Sequence, residues 1–112
     1  MNNQSLNAMA RQARSNSVRW FPHQSEWTQQ ETLAHYGLGA TEEAGEVAGV
    51  IKKFTAYLVD DPKRRTLDEL PGEIVDALTY LLALAGYLLI DLETAWDDNI
   101  AKCEQRWGAK TP

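Results

Sequence analysis

Apolar residues recur at helical spacing along most of the chain, and no segment alternates apolar and polar residues as a half-buried strand would. Leu6, Met9, Ala10 and Ala13 fall at i, i+3, i+4 and i+7, which predicts a short helix over 5–15. The stretch from Ser15 to Trp27 contains Pro22 and mixes polar with aromatic residues. It reads as a loop laid on the domain and anchored by Trp20, Phe21 and Trp27. Thr28-Gln29-Gln30-Glu31 is a capping-box pattern and opens a long helix predicted to reach about Val59. Val47, Val50, Ile51, Phe54 and Leu58 form its apolar stripe, and Asp60-Asp61-Pro62 stops it. Gly37 and Gly39 weaken its middle and predict a bend near Gly37.

Residues 60–67 read as a charged loop, and the next helix is predicted from Asp68 to about Leu89. Thr66-x-x-Glu69 is a rival capping box, but a start there would put Pro71 where its missing N–H is needed. From Leu78 to Ile90 this helix is apolar nearly all round, the mark of burial on several sides. A chain of 112 residues has little material to cover it, so a second subunit is expected to do so. Asp91 caps a last helix that runs to about Trp107 and ends at Gly108. The predicted fold is all-α: a four-helix bundle-like protomer that oligomerises through its apolar helix. Residues 1–26 supply the short helix and aromatic loop, and 27–112 the rest of a single domain.

Charge narrows the partners. A net charge of −5 and a pI near 4.9 argue against nucleic acid. The longest uncharged apolar run, Ala77 to Ile90, has 14 residues and is too short to span a membrane. The polar first 15 residues lack the apolar core of a signal peptide, and the lone Cys103 suits a reducing compartment. A cytoplasmic protein is expected.

The chemistry lies in two acidic clusters. Glu42-Glu43-Ala44-Gly45-Glu46 and Glu73-Ile74-Val75-Asp76 are separated by 26 residues, and each sets carboxylates three apart on a predicted helix. At about 100° per residue, Glu42, Glu46 and Lys53 lie within roughly 40° of one another, and Glu43 about 60° from Glu46. Glu73, Asp76 and Tyr80 share a face at i, i+3 and i+7. Each cluster alone also fits a solvated helix face. Together, on packed helices, they form an all-oxygen site for a hard divalent cation, with Mg²⁺ the natural occupant and Mn²⁺ a substitute. His23 and His35 are the only histidines, and neither follows a glutamate by three, which disfavours a di-iron centre. On the last helix Asn99, Lys102 and Arg106 share a face, an amide and two cations suited to phosphate oxygens. Acids for metals and bases for phosphates point to a metal-bridged nucleoside triphosphate.

These motifs, in this order and followed by Ala77-Leu78-Thr79-Tyr80 and Asn99-Ile100-Ala101-Lys102-x-x-x-Arg106, resemble those of the MazG-like nucleotide pyrophosphohydrolases of the all-α NTP pyrophosphatase superfamily. The resemblance covers roughly 27–107, and Glu-Ile-Val-Asp stands where relatives often carry Glu-Leu-Gly-Asp. It implies Mg²⁺ on Glu43, Glu46, Glu73 and Asp76, with Glu42 or Glu46 orienting or deprotonating water. It also implies phosphate contacts from Lys53, Asn99, Lys102 and Arg106. The implied reaction converts a (d)NTP to the monophosphate and pyrophosphate in a homodimer or homotetramer. Trp20, Phe21, Trp27 and Tyr80 are candidate base contacts. A dUTPase-like or phosphoribosyl-ATP pyrophosphatase activity is an alternative within the superfamily. A non-catalytic, metal-stabilised helical interaction module is an alternative of another class.

Overall fold

A computed structural model describes residues 4–108 of the chain; the extreme ends of the two segments, 1–3 and 109–112, lie outside the described residues. The described residues hold four α-helices and no strand: α1 (Leu6–Trp20), α2 (Gln29–Ala56), α3 (Leu70–Leu88) and α4 (Leu92–Trp107). Short 3₁₀ turns, Pro22–Glu26 and Leu67–Glu69, precede α2 and α3. The all-α expectation holds.

Local chemistry explains the boundaries. Ser5 Oγ accepts from the Ala8 N–H at 3.1 Å and starts α1. Residues 15–20, expected as loop, continue that helix. Their polar side chains hide an inward face, since Ser17 donates to Gln24 across the chain reversal. The Thr28–Glu31 capping box forms as read and starts α2. α2 is unbroken through Gly37 and ends at Ala56, three residues short of Val59. Thr66 and Pro71 both find a place, because the 3₁₀ turn comes between them. The Glu69 carboxylate accepts from the Thr66 N–H at 3.2 Å, and Pro71 falls in the first turn of α3. The end of α3 places Leu89 in the left-handed region at φ 57°, and the Ile90 N–H reaches the Ala85 carbonyl at 3.0 Å.

α1 and α2 both pack along α3. Ala10, Leu82 and Ala85 form the core of the first contact, joined by Met9, Ala13 and Leu92. Gly86 permits it, because a Cβ there would strike the Ala10 carbonyl. Contacts between α2 and α3 step from Gly39–Tyr80 to the Glu43–Asp76 neighbourhood, so the two helices run antiparallel.

α4 does not lie alongside the other three. It turns 113° from the direction of α3, packs chiefly on α1 and buries none of its residues. Asn7 staples its start: Nδ2 donates to Asp91 Oδ1 at 2.9 Å and Glu93 Oε2 at 2.8 Å, and Oδ1 accepts from the Leu92 N–H at 2.7 Å. The described chain is accordingly open. Its radius of gyration is 17.8 Å, against about 13 Å for a compact chain of this length. Ile74, Val75, Leu78 and Leu81 leave the outer face of α3 exposed. No single described helix is long and apolar enough to cross a membrane.

Candidate functional site

The antiparallel register of α2 and α3 gathers the acids. Glu43, Glu73 and Asp76 each offer a carboxylate oxygen within 4.8 Å of the other two. Glu43 and Glu73 are half-buried, and Asp76 is exposed. Partial burial, then the charges of Asp76, Glu42, Glu73 and Glu46, hold the Glu43 carboxyl above its ordinary value. The donor set is all oxygen and short of positive charge, which fits a hard divalent cation. Glu46 stands opposite Glu73 in the register but is exposed and outside the three-carboxylate group; Glu42 is likewise exposed.

Sequence reasoning missed one cation beside these acids, Arg65. It pairs with Glu69 at 2.5 Å and with Glu73 at 3.6 Å, and those bonds raise its pKa further. The spacing 65, 69, 73 follows a helical face, but a loop assignment concealed it. Lys53 lies exposed two turns beyond Glu46 on α2. Asn99, Lys102 and Arg106 are exposed on α4, and none of these four lines the cavity beside the acids.

That cavity, about 770 Å³, lies between α1, the Pro22–Glu26 turn, α2 and α3. Glu43 and Asp76 stand at one end, and all four candidate base contacts, Trp20, Phe21, Trp27 and Tyr80, line it. A chain of rings, edge-to-face except for a tilted last pair, connects Phe21, Trp27 and Tyr80 through His23 and His35. Phe21–His23 centroids are 6.4 Å apart, His23–Trp27 5.5 Å, Trp27–His35 4.8 Å and His35–Tyr80 5.8 Å. Gly39 lets Tyr80 close the chain, since any Cβ there would collide with its ring. Burial and the nearby Glu43, Glu42 and Asp76 charges raise the Tyr80 pKa, as expected of a ring at the acidic end. His35, Tyr36 and Gln24 were not foreseen as cavity residues. His35, Gly39 and Glu43 recur every four residues on one face of α2, a signal that could have revealed the first.

Fold and site together define a class: an all-α domain with an acidic centre at the end of an aromatic cavity. The chain belongs to the MazG nucleotide pyrophosphohydrolase family, whose domain matches residues 29–108. It is 30% identical over 76 residues to the Gene 37 protein of Mycobacterium phage L5, covering 68% of this chain and 67% of that protein. No solved structure matches the chain significantly.

Proposed function

We propose that the chain hydrolyses a nucleoside triphosphate to the monophosphate and pyrophosphate, with Mg²⁺ held by Glu43, Glu73 and Asp76 and Glu46 joining as a further ligand. The observation that carries this reading is the meeting of three carboxylates with an aromatic cavity of about 770 Å³, ample for a nucleoside. Bound there, Mg²⁺ neutralises triphosphate charge and lowers the pKa of water. The rings of Trp27 and Tyr80 hold the base, so the phosphates extend toward the acids. Arg65 supplies a cation on the acidic side, and Glu42 or Glu46 orients the attacking water.

A homo-oligomer belongs to the same proposal. The protomer exposes 8581 Å², against about 6,200 Å² for a compact monomer of 12.6 kDa, and the excess is of the size that an obligate dimer buries. A second copy also offers a way to bring Lys102 and Arg106 to the acids.

Pyrophosphate release from each canonical dNTP, dUDP and phosphoribosyl-ATP with Mg²⁺ tests the activity and separates the superfamily alternatives. Glu43→Gln and Asp76→Asn are expected to abolish turnover while the protein stays folded. Wild-type turnover in either variant defeats the assignment. Metal-dependent stability without turnover on any substrate makes the chain an interaction module instead. Mixing the Glu43→Gln variant with a Lys102→Ala/Arg106→Ala variant tests the shared site: restored activity supports it, and none places the site within one protomer.

A further inference from the structure

Gln24 sits in the Pro22–Glu26 turn, is only 3% exposed and lines the cavity. Its amide is held at the oxygen end. Ser17 Oγ donates to Gln24 Oε1 at 2.8 Å, and the hydroxyl of the buried Tyr36 reaches the same oxygen at 3.0 Å. Arg14 Nη1 donates to Tyr36 Oη at 2.8 Å, and the tyrosine proton is shared between Gln24 Oε1 and Ser17 Oγ, each 3.0 Å away. Oε1 therefore faces the two hydroxyls rather than the cavity, with Ser17 its shorter donor. The Nε2 group has no hydrogen-bond partner among the described residues, and none of their buried polar atoms is left unsatisfied, so Nε2 opens on the cavity. Turning the amide over would take the acceptor away from the Ser17 hydroxyl proton at 2.8 Å, and that bond sets its orientation.

On the reading that this cavity takes a nucleotide, we propose that Gln24 selects the base, donating from Nε2 to an exocyclic ring carbonyl. With Oε1 engaged, Gln24 has no acceptor to offer. The donor–acceptor grip by which a free glutamine holds adenine is therefore closed. Guanine, thymine, uracil and cytosine all carry a ring carbonyl, and adenine carries none. The site accepts the first four and disfavours adenine. Ser17, Tyr36 and Arg14 are positioning residues that act through Gln24.

The test compares dITP with dATP, which have equal ring size and differ at C6 by a carbonyl against an amino group. Wild type is expected to favour dITP in kcat/KM by about tenfold, the scale of one hydrogen bond in a partly desolvated site. Gln24→Ala brings the ratio toward one. Gln24→Glu, which places an acceptor where Nε2 was, turns it toward dATP. Tyr36→Phe removes one of the contacts that hold the oxygen end of the amide and brings the ratio toward one, whereas a purely structural role for Tyr36 would lower both substrates alike. Thermal melts confirm that each variant folds. Equal use of dITP and dATP by wild type, or an unchanged ratio in Gln24→Ala, overturns the proposal even if pyrophosphate is released. Should no nucleotide be hydrolysed, dIMP and dAMP binding is read from quenching of tryptophan fluorescence. Tighter dIMP binding that is lost in Gln24→Ala upholds Gln24 as the reader while the hydrolytic reading falls. No discrimination, or no binding, overturns it.

Discussion

Replacing Gly39 by alanine sets two effects of known sign against each other. In the interior of a helix, Gly→Ala stabilises by about 1 kcal/mol through backbone entropy. Gly37, one half-turn earlier on α2, has nothing within 4 Å of where a Cβ would lie, so Gly37→Ala should show that gain alone. For 112 residues, about 1 kcal/mol corresponds to a rise in Tm of about 4 °C. At Gly39 the new methyl lands in the Tyr80 ring, and overpacking of this kind costs about 1–3 kcal/mol. The net change is a loss of up to about 2 kcal/mol, a fall in Tm of up to about 8 °C. In a Tyr80→Ala background the methyl has room, and Gly39→Ala should become stabilising by about the Gly37→Ala amount. Far-UV circular dichroism melts at one fixed protein concentration read all five proteins, since assembly makes Tm concentration-dependent. The ring that yields also lines the cavity, so Gly39→Ala should raise KM for nucleotide where Gly37→Ala does not. Equal Tm gains for the two single variants in the wild-type background would refute the packing argument.

Other outcomes follow from the same geometry. Glu43 has its pKa raised from 4.5 by partial burial and then by its acidic neighbours, so folding binds its proton more tightly. The stability this confers is present below pH 4.5 and lost as pH rises through the raised value. Without divalent cation, melts should show wild type losing stability over that rise relative to Glu43→Gln. Mg²⁺ at pH 7.5 should restore it in wild type alone, and a wild-type Tm indifferent to Mg²⁺ contradicts the site. Asp91 is lowered to about 2, first by Asn7 and then by Thr94, so its contribution is present above pH 3.8 and fades as pH falls toward 2. Asp91→Asn should melt below wild type at neutral pH, with the gap closing over that window. Leu89 is 85% exposed yet left-handed, so Leu89→Gly relieves strain at little loss of burial and should stabilise by about 0.5–1 kcal/mol in urea titration.

What could be read from the chain was what depends on near neighbours. The Thr28–Glu31 box, the Asp91 cap and the Glu73–Asp76 pair at i, i+3 are all local, and each appears where the spacing put it, whereas Glu46 stays outside the group that Glu43 joins. The miss over 15–20 had the opposite cause. Ser15, Asn16 and Ser17 look like loop residues, yet Ser17 is turned inward by Gln24 and Tyr36, partners that periodicity does not contain. Arg65 was hidden in the same way, because its link to Glu73 exists only once the Leu67–Glu69 turn has set α3 in place. Gln24 has no motif at all. Its role depends on two hydroxyls brought from α1 and α2 to one oxygen.

The open part of the molecule obeys the same logic at a larger scale. On α4, Trp96, Ile100, Cys103 and Trp107 recur at intervals of four, three and four, and all are exposed. Helical geometry sets this apolar stripe about 100° from the face of Asn99, Lys102 and Arg106. A surface that covered the stripe would therefore have both cations at its edge rather than beneath it, able to reach sideways without being desolvated. The Asn7 staple holds the start of α4 against α1, so the stripe cannot be covered by folding back without breaking those bonds. In the homo-oligomer we propose, one contact would then meet both needs of the protomer: cover for the aromatic stripe and a route for Lys102 and Arg106 toward a partner's acids.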